Sequence, residues 1–161
     1  MKILLIDDES SCLGSLVRAL KPTGHKCVAV SCPNEAIELL QKEFFDLVVT
    51  DYKMPETNGI QILRKAKEID PRTAVIILTG FADVNNAIDA VNYGAYAFFR
   101  KPLQIEDFIK TISQLEKELI EKRIQELSIS RLNYDYEMLQ KKYQSLEKLI
   151  EDQKRNAEET L

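Results

Sequence analysis

The chain has no tryptophan, one histidine, and only five glycines and five prolines among 161 residues. All of those glycines and prolines lie at or before Pro102, and residues 103–161 contain neither. Three cysteines, Cys12, Cys27 and Cys32, are an odd number without a CxxC pair. They read as free thiols in a reducing compartment, not as a disulfide framework or a zinc site. No apolar run approaches the roughly 18 residues of a membrane helix. The start, MKILLIDDES, turns acidic too early for a signal peptide. A cytoplasmic protein without membrane attachment is therefore expected. Positive charge is also in short supply: 22 Lys and Arg face 26 Asp and Glu, for a net charge of -4. Direct DNA binding through a basic face is thus not expected. The lone histidine, His25, sits in the turn-like PTGHK and reads as a surface residue.

Residues up to Pro102 alternate short apolar runs with amphipathic stretches. Ile3–Ile6, Cys27–Val30, Leu47–Thr50, Ala74–Thr79 and Ala97–Arg100 predict strands. Runs such as LLI, LVV and VIIL are nearly continuous, as in strands covered on both faces. Between them, apolar residues recur at helical spacing: Leu13, Leu16, Val17 and Leu20; Ala36, Ile37, Leu39 and Leu40; Ile60, Ile62, Leu63, Ala66 and Ile69; Val84, Ala87, Ile88 and Val91. Such alternation implies an α/β fold, a doubly wound five-stranded parallel sheet with right-handed crossovers.

In such a sheet the functional crevice lies beyond the carboxyl ends of the strands. The predicted strands deliver Asp7 and Asp8, then Asp51, Thr79 and Lys101 to that rim. Clustered carboxylates repel unless a cation sits among them, and hard oxygen ligands suit Mg²⁺. A lysine ammonium and a threonine hydroxyl can meet phosphoryl oxygens. An aspartate can accept a phosphoryl group as an acyl phosphate.

These residues resemble the receiver domain of two-component response regulators, over about residues 1–120. The resemblance rests on Asp7-Asp8, the segment DYKMPETNG from Asp51 to Gly59, Thr79-Gly80, and Gly94-Ala95 followed by Lys101-Pro102. It implies a flavodoxin-like receiver fold with Asp51 as phosphoacceptor. It further implies Mg²⁺ held by Asp7, Asp8, Asp51 and the main-chain carbonyl of Lys53, and phosphoryl contacts from Thr79 and Lys101. Thr79 and Phe98 match the family's switch pair, and Pro102 the proline after a cis peptide bond. Lys53 and Phe81 flank the site, where they are expected to limit water access and slow hydrolysis. The segments DYKMPETNG and TGFADVNNAIDAVNYGA look most like the NtrC-type branch. The ATPase and helix-turn-helix usual to that branch have no counterpart here, and no GxxxxGK[ST] occurs.

Residues 121–161 are expected to form a helical extension. Ile105, Phe108, Ile112, Leu115 and Leu119 keep one 3-4 stripe, whose start should close the domain as its last helix. Leu132, Tyr136, Leu139, Tyr143, Leu146 and Ile150 keep a second, heptad register. The two do not join cleanly, so residues 128–135 are expected to hold a stutter or a hinge. A charged helix with a narrow apolar seam predicts a coiled coil, with a parallel homodimer preferred over a hairpin or docking to a larger partner.

The resulting expectation is a bacterial, phosphorylation-activated response regulator. It would be phosphorylated by a sensor histidine kinase and would act on a downstream protein through its last two helices and last strand. Its chemistry would be confined to its own phosphorylation and dephosphorylation, so it is not expected to be an enzyme acting on external substrates. The alternative is a constitutive coiled-coil scaffold using a receiver fold without phosphorylation control. A phosphatase of aspartyl-phosphate type is disfavoured, because its DxD motif follows a single strand.

Overall fold

The five apolar runs pair as one parallel sheet, in the spatial order Lys26–Val30, Lys2–Ile6, Leu47–Asp51, Ala74–Thr79, Ala97–Arg100. The structure is a computed structural model and describes residues 1–80 and 84–158, with the backbone alone at 84–87 and 156–158. The strands are β1 (Lys2–Ile6), β2 (Lys26–Val30), β3 (Leu47–Asp51), β6 (Ala74–Thr79) and β7 (Ala97–Arg100). β1 and β2 begin one residue before the expected runs, and β3 ends one residue later, taking Asp51 into the strand.

Helices α1 (Ser10–Leu20), α2 (Pro33–Lys42), α3 (Gly59–Ile69) and α4 (Val84–Asn92) lie between the strands, and α5 runs Ile105–Glu158. The residue types explain several boundaries. Pro33 begins α2, where its fixed φ suits a helix and its missing N–H costs no bond. At the start of α3, Asn58 and Gln61 form a reciprocal capping box: the Asn58 side chain accepts from the Gln61 N–H and the Gln61 side chain from the Asn58 N–H. α4 ends at Asn92, and two residues on Gly94, at φ +79°, is the left-handed stop that a residue with a side chain resists.

Alternation along the strands divides the core between the two sheet faces. Leu4, Ile6, Val48, Val75 and Ile77 pack with Ala36 and Leu40 of α2, Ile62, Leu63 and Ala66 of α3, and Ala90 of α4. On β7 the neighbouring rings behave differently. Phe98 is half-buried against that cluster, whereas Phe99 meets Phe108 of α5 edge-on at 5.7 Å.

A two-stranded hairpin, β4 (Lys53–Met54) and β5 (Thr57–Asn58), was not among the expected elements. It turns through Glu56, at φ +65°. The hinge expected within residues 128–135 is also absent: α5 is helical throughout. The change of apolar phase alters what the helix can pack on. It does not disturb backbone i to i-4 bonding, which no glycine or proline interrupts there. The chain divides into two compact units, Met1–Gln114 and Leu115–Leu161. From Ile120 to Arg155 every described residue is exposed. Among the described residues no helix is long and apolar enough to cross a membrane.

Candidate functional site

Because β1 and β3 are hydrogen-bonded neighbours in the sheet, their carboxyl ends bring Asp7 and Asp51 to one rim. Asp51 ends β3 itself, opposite Leu78 of β6, and Thr79 follows as the last residue of β6. β7 pairs with the other edge of β6, so Lys101, just beyond it, reaches the same place. Asp7, Asp51 and Thr79 are all buried.

Lys101 joins the two buried carboxylates. Its Nζ lies 2.5 Å from Asp51 Oδ1 and donates to Asp7 Oδ2 at 2.7 Å. The other oxygen of each carboxylate accepts a backbone N–H: Asp51 Oδ2 from Lys53 at 2.9 Å, and Asp7 Oδ1 from Glu9 at 2.9 Å. Burial alone would push the Lys101 ammonium towards neutrality. The hydrogen bonds to Asp51 and Asp7, with the charges of those carboxylates, outweigh burial and hold its pKa above the ordinary lysine range. The lysine is therefore a fixed cation, and it separates two anions that would otherwise repel.

Backbone detail fixes Asp51 from behind. The Tyr52 N–H donates to the Leu78 carbonyl at 2.6 Å, and the Gly59 N–H donates to the Tyr52 carbonyl at 2.8 Å. A Cβ added at Gly59 would sit 2.8 Å from the Asp51 carbonyl oxygen, closer than two such atoms approach. Gly59 is thus glycine because the start of α3 presses on the residue bearing the site's carboxylate. The peptide bond between Lys101 and Pro102 is cis, as the resemblance implied.

Asp8 is exposed, lining a cleft with Pro33, Pro55 and Glu56 that opens towards the β4–β5 turn. Counting Asp7, Asp8 and Asp51 against Lys101, the rim holds two surplus negative charges, which a divalent cation would balance. All-oxygen donors suit a hard ion such as Mg²⁺. Among the described residues, the grouping whose ligand atoms all lie within 4.8 Å of each other is Asp7, Glu9 and Cys12, which leaves out Asp51. It shares Asp7 with the expected set and does not include Asp8.

Cys12 and Glu9 are the residues that sequence reasoning left out of the site. The Cys12 thiol lies 3.9 Å from Lys101 Nζ and donates to Glu9 Oε2 at 3.2 Å. Burial, the Glu9 hydrogen bond and the Asp7 charge push the thiol up to about 11, so it is a neutral lining group. Cys12 is the third residue of α1, within its first turn beside the carboxyl end of β1. Phe81 lies outside the described residues. Lys53 is exposed at the start of β4 and contributes its backbone N–H to Asp51.

Comparison with known proteins agrees with this architecture. Residues 3–113 match the response regulator receiver domain family. The receiver protein CpdR of Brucella abortus is 35% identical over 114 residues, 71% of this chain and 95% of CpdR. The transcriptional regulatory protein ZraR of Escherichia coli K12 is 33% identical over 112 residues, 70% of this chain but only 25% of ZraR. This chain therefore spans about a quarter of the length of such regulators. Among solved structures, the beryllofluoride-activated NtrC4 receiver domain dimer superimposes with a TM-score of 0.69 at 33% identity, covering 73% of this chain and 97% of that one.

Proposed function

The chain belongs to the response regulator receiver family, and from that premise we propose that it is a phosphorylation-operated switch in which Asp51 accepts a phosphoryl group from the phosphohistidine of a sensor histidine kinase. The observation that carries this reading is the single Lys101 ammonium between two buried carboxylates, 2.5 Å from Asp51 and 2.7 Å from Asp7.

An Asp51 oxygen attacks phosphorus, an O–P bond forms as the P–N bond breaks, and the kinase imidazole leaves with the bonding electron pair. The Lys53 N–H fixes the rotation of the Asp51 carboxylate, which keeps the attacking oxygen in line. Lys101 remains charged and turns from carboxylate to phosphoryl oxygen, while the Thr79 hydroxyl donates to another phosphoryl oxygen. Asp7, Asp8, Asp51 and the Lys53 carbonyl are the groups that would hold Mg²⁺, which when bound offsets charge on the transferring oxygens.

The added dianion then biases an equilibrium between two arrangements of Thr79 and Phe98. The half-buried setting of Phe98 supports this role, since the ring is neither locked in the core nor fully solvated. Movement of the ring alters the face formed by α4, β7 and the start of α5, and a downstream protein reads that face. The tail forms a homodimer. The chemistry is self-directed, with no turnover of an external substrate, and the setting is the bacterial cytoplasm without direct contact to DNA.

Intact mass after incubation with acetyl phosphate and Mg²⁺ tests the reading. A gain of one phosphoryl group that is lost in Asp51→Asn is expected. Absence of that gain, together with no binding of beryllofluoride, overturns it in favour of a constitutive scaffold.

A further inference from the structure

The parallel tail dimer expected from the sequence has no assigned register, and residues 129–150 of α5 carry enough pattern to give one and to argue its direction. Leu132, Tyr136, Leu139, Tyr143, Leu146 and Ile150 are each more than half exposed, and Ile129 extends their spacing by one further step at 53% exposure. In heptad terms Ile129, Tyr136, Tyr143 and Ile150 take position a, and Leu132, Leu139 and Leu146 take d. The register is bounded at both ends, because the preceding d residue is Gln125 and the following one is Gln153.

We propose that residues 129–150 pair with the same segment of a second copy as a parallel, in-register, two-stranded coiled coil. Three observations carry this. First, leucine at every d with isoleucine at the outer a positions is the pattern that, in a parallel coiled coil, favours two strands over three or four. Tyrosine at the inner a positions places its ring in the seam and its hydroxyl at the wet edge. Second, in-register self-pairing gives every one of these residues its own copy as partner. The two antiparallel settings that mesh a with d while retaining most of the seam do not. One sets Ile150 against Gln125 and the other sets Ile129 against Gln153. Third, parallel pairing brings each g residue to the e residue five positions on in the second copy. Lys142 then faces Glu147 of the second copy, and two-fold symmetry makes that pair twice. Within one helix the same two residues point in different directions and gain nothing from each other.

This inference rests on the tail dimer of the proposed function. Its test uses the full chain with Cys12, Cys27 and Cys32 replaced by serine, which leaves the tail naturally free of thiols. Two variants, Leu132→Cys and Leu146→Cys, are mixed in equal amounts in a glutathione redox buffer, and disulfide-linked peptides are identified by mass. Like-with-like disulfides at 132 and at 146, at least tenfold over the mixed 132–146 species, are expected. An excess of the mixed species overturns the parallel arrangement. A dimer by light scattering that gives neither disulfide overturns this seam while the dimer itself stands. A monomer at every concentration overturns both the seam and the tail dimer. Phosphoryl uptake at Asp51 is measured alongside, so the switch reading is judged separately.

Discussion

Ile62 of α3 and Ile124 of α5 are both isoleucines on helical apolar stripes, yet one is fully buried and the other 59% exposed. What separates them is the sheet. Ile62 lies over β-strands whose apolar faces have nowhere else to go, so burial of the stripe is satisfied within residues 1–114. From Ile124 to Arg155 no described residue is buried, so the helix there rests mainly on its own backbone hydrogen bonds. Such a helix is marginal in water unless its apolar side is covered. An identical local pattern therefore means a finished core in one region and an unfinished one in the other.

The largest expected contrast concerns the chemistry. Asp51→Asn should remove phosphoryl uptake entirely while leaving thermal unfolding of the first unit nearly unchanged, whereas a chain ending at residue 120 should keep uptake and lose the dimer. Intact mass and light scattering read both. Next comes core against seam. Phe108→Ala removes a fully buried ring that packs on Phe99, and should cost about 3–5 kcal/mol in urea unfolding at any protein concentration. Leu139→Ala should change nothing in dilute solution and lower helicity only where wild type dimerises, measured by circular dichroism over a concentration series. Smaller again is Gly59→Ala. The added methyl meets the Asp51 carbonyl, so a loss of about 1–3 kcal/mol is expected, with slower phosphoryl uptake because the carboxylate is displaced.

The smallest effect separates two thiols within the first unit. Cys32 is exposed, while burial and then Glu9 push Cys12 up to about 11. At neutral pH iodoacetamide should therefore modify Cys32 first and Cys12 last, as peptide masses would show. The linkage follows the sign of that shift. An unfolded cysteine ionises near 8.5, so the unfolded chain releases the Cys12 proton before the folded one does. The contribution of Cys12 to stability is intact below about pH 8.5 and declines as pH climbs from there towards 11. A Cys12→Ser variant should lack that decline.

Much of the first unit was legible in the sequence because buried parallel strands must be continuous apolar runs. Ala74–Thr79 and Ala97–Arg100 are the strands observed, end to end. The rim was legible for the same reason, since a residue that follows such a run can only emerge at the strand's carboxyl end. The β4–β5 hairpin was not, because two-residue strands carry no periodicity, and its turn at Glu56 lacks the glycine that usually marks a left-handed residue. Cys12 beside Lys101 was missed for another reason: 89 positions separate the two, and only the completed sheet brings them together. In α5 the helix itself was legible, while the apolar phase change near residue 128 suggested a break that the backbone has no cause to make.

The strand pairings also set a timetable. β1 must wait for Lys26–Val30 to supply one neighbour and for Leu47–Asp51 to supply the other, and the sheet closes only when Ala97–Arg100 has been made. Pairings so distant along the chain are slow, in the range of milliseconds to seconds, whereas a helix forms in about a microsecond. At a synthesis rate of about 5–20 residues per second, the stretch after residue 114 takes several seconds to appear. The slow half of the molecule thus has its own interval in which to finish before the fast half exists, so the pairing proposed for the tail would follow a completed sheet.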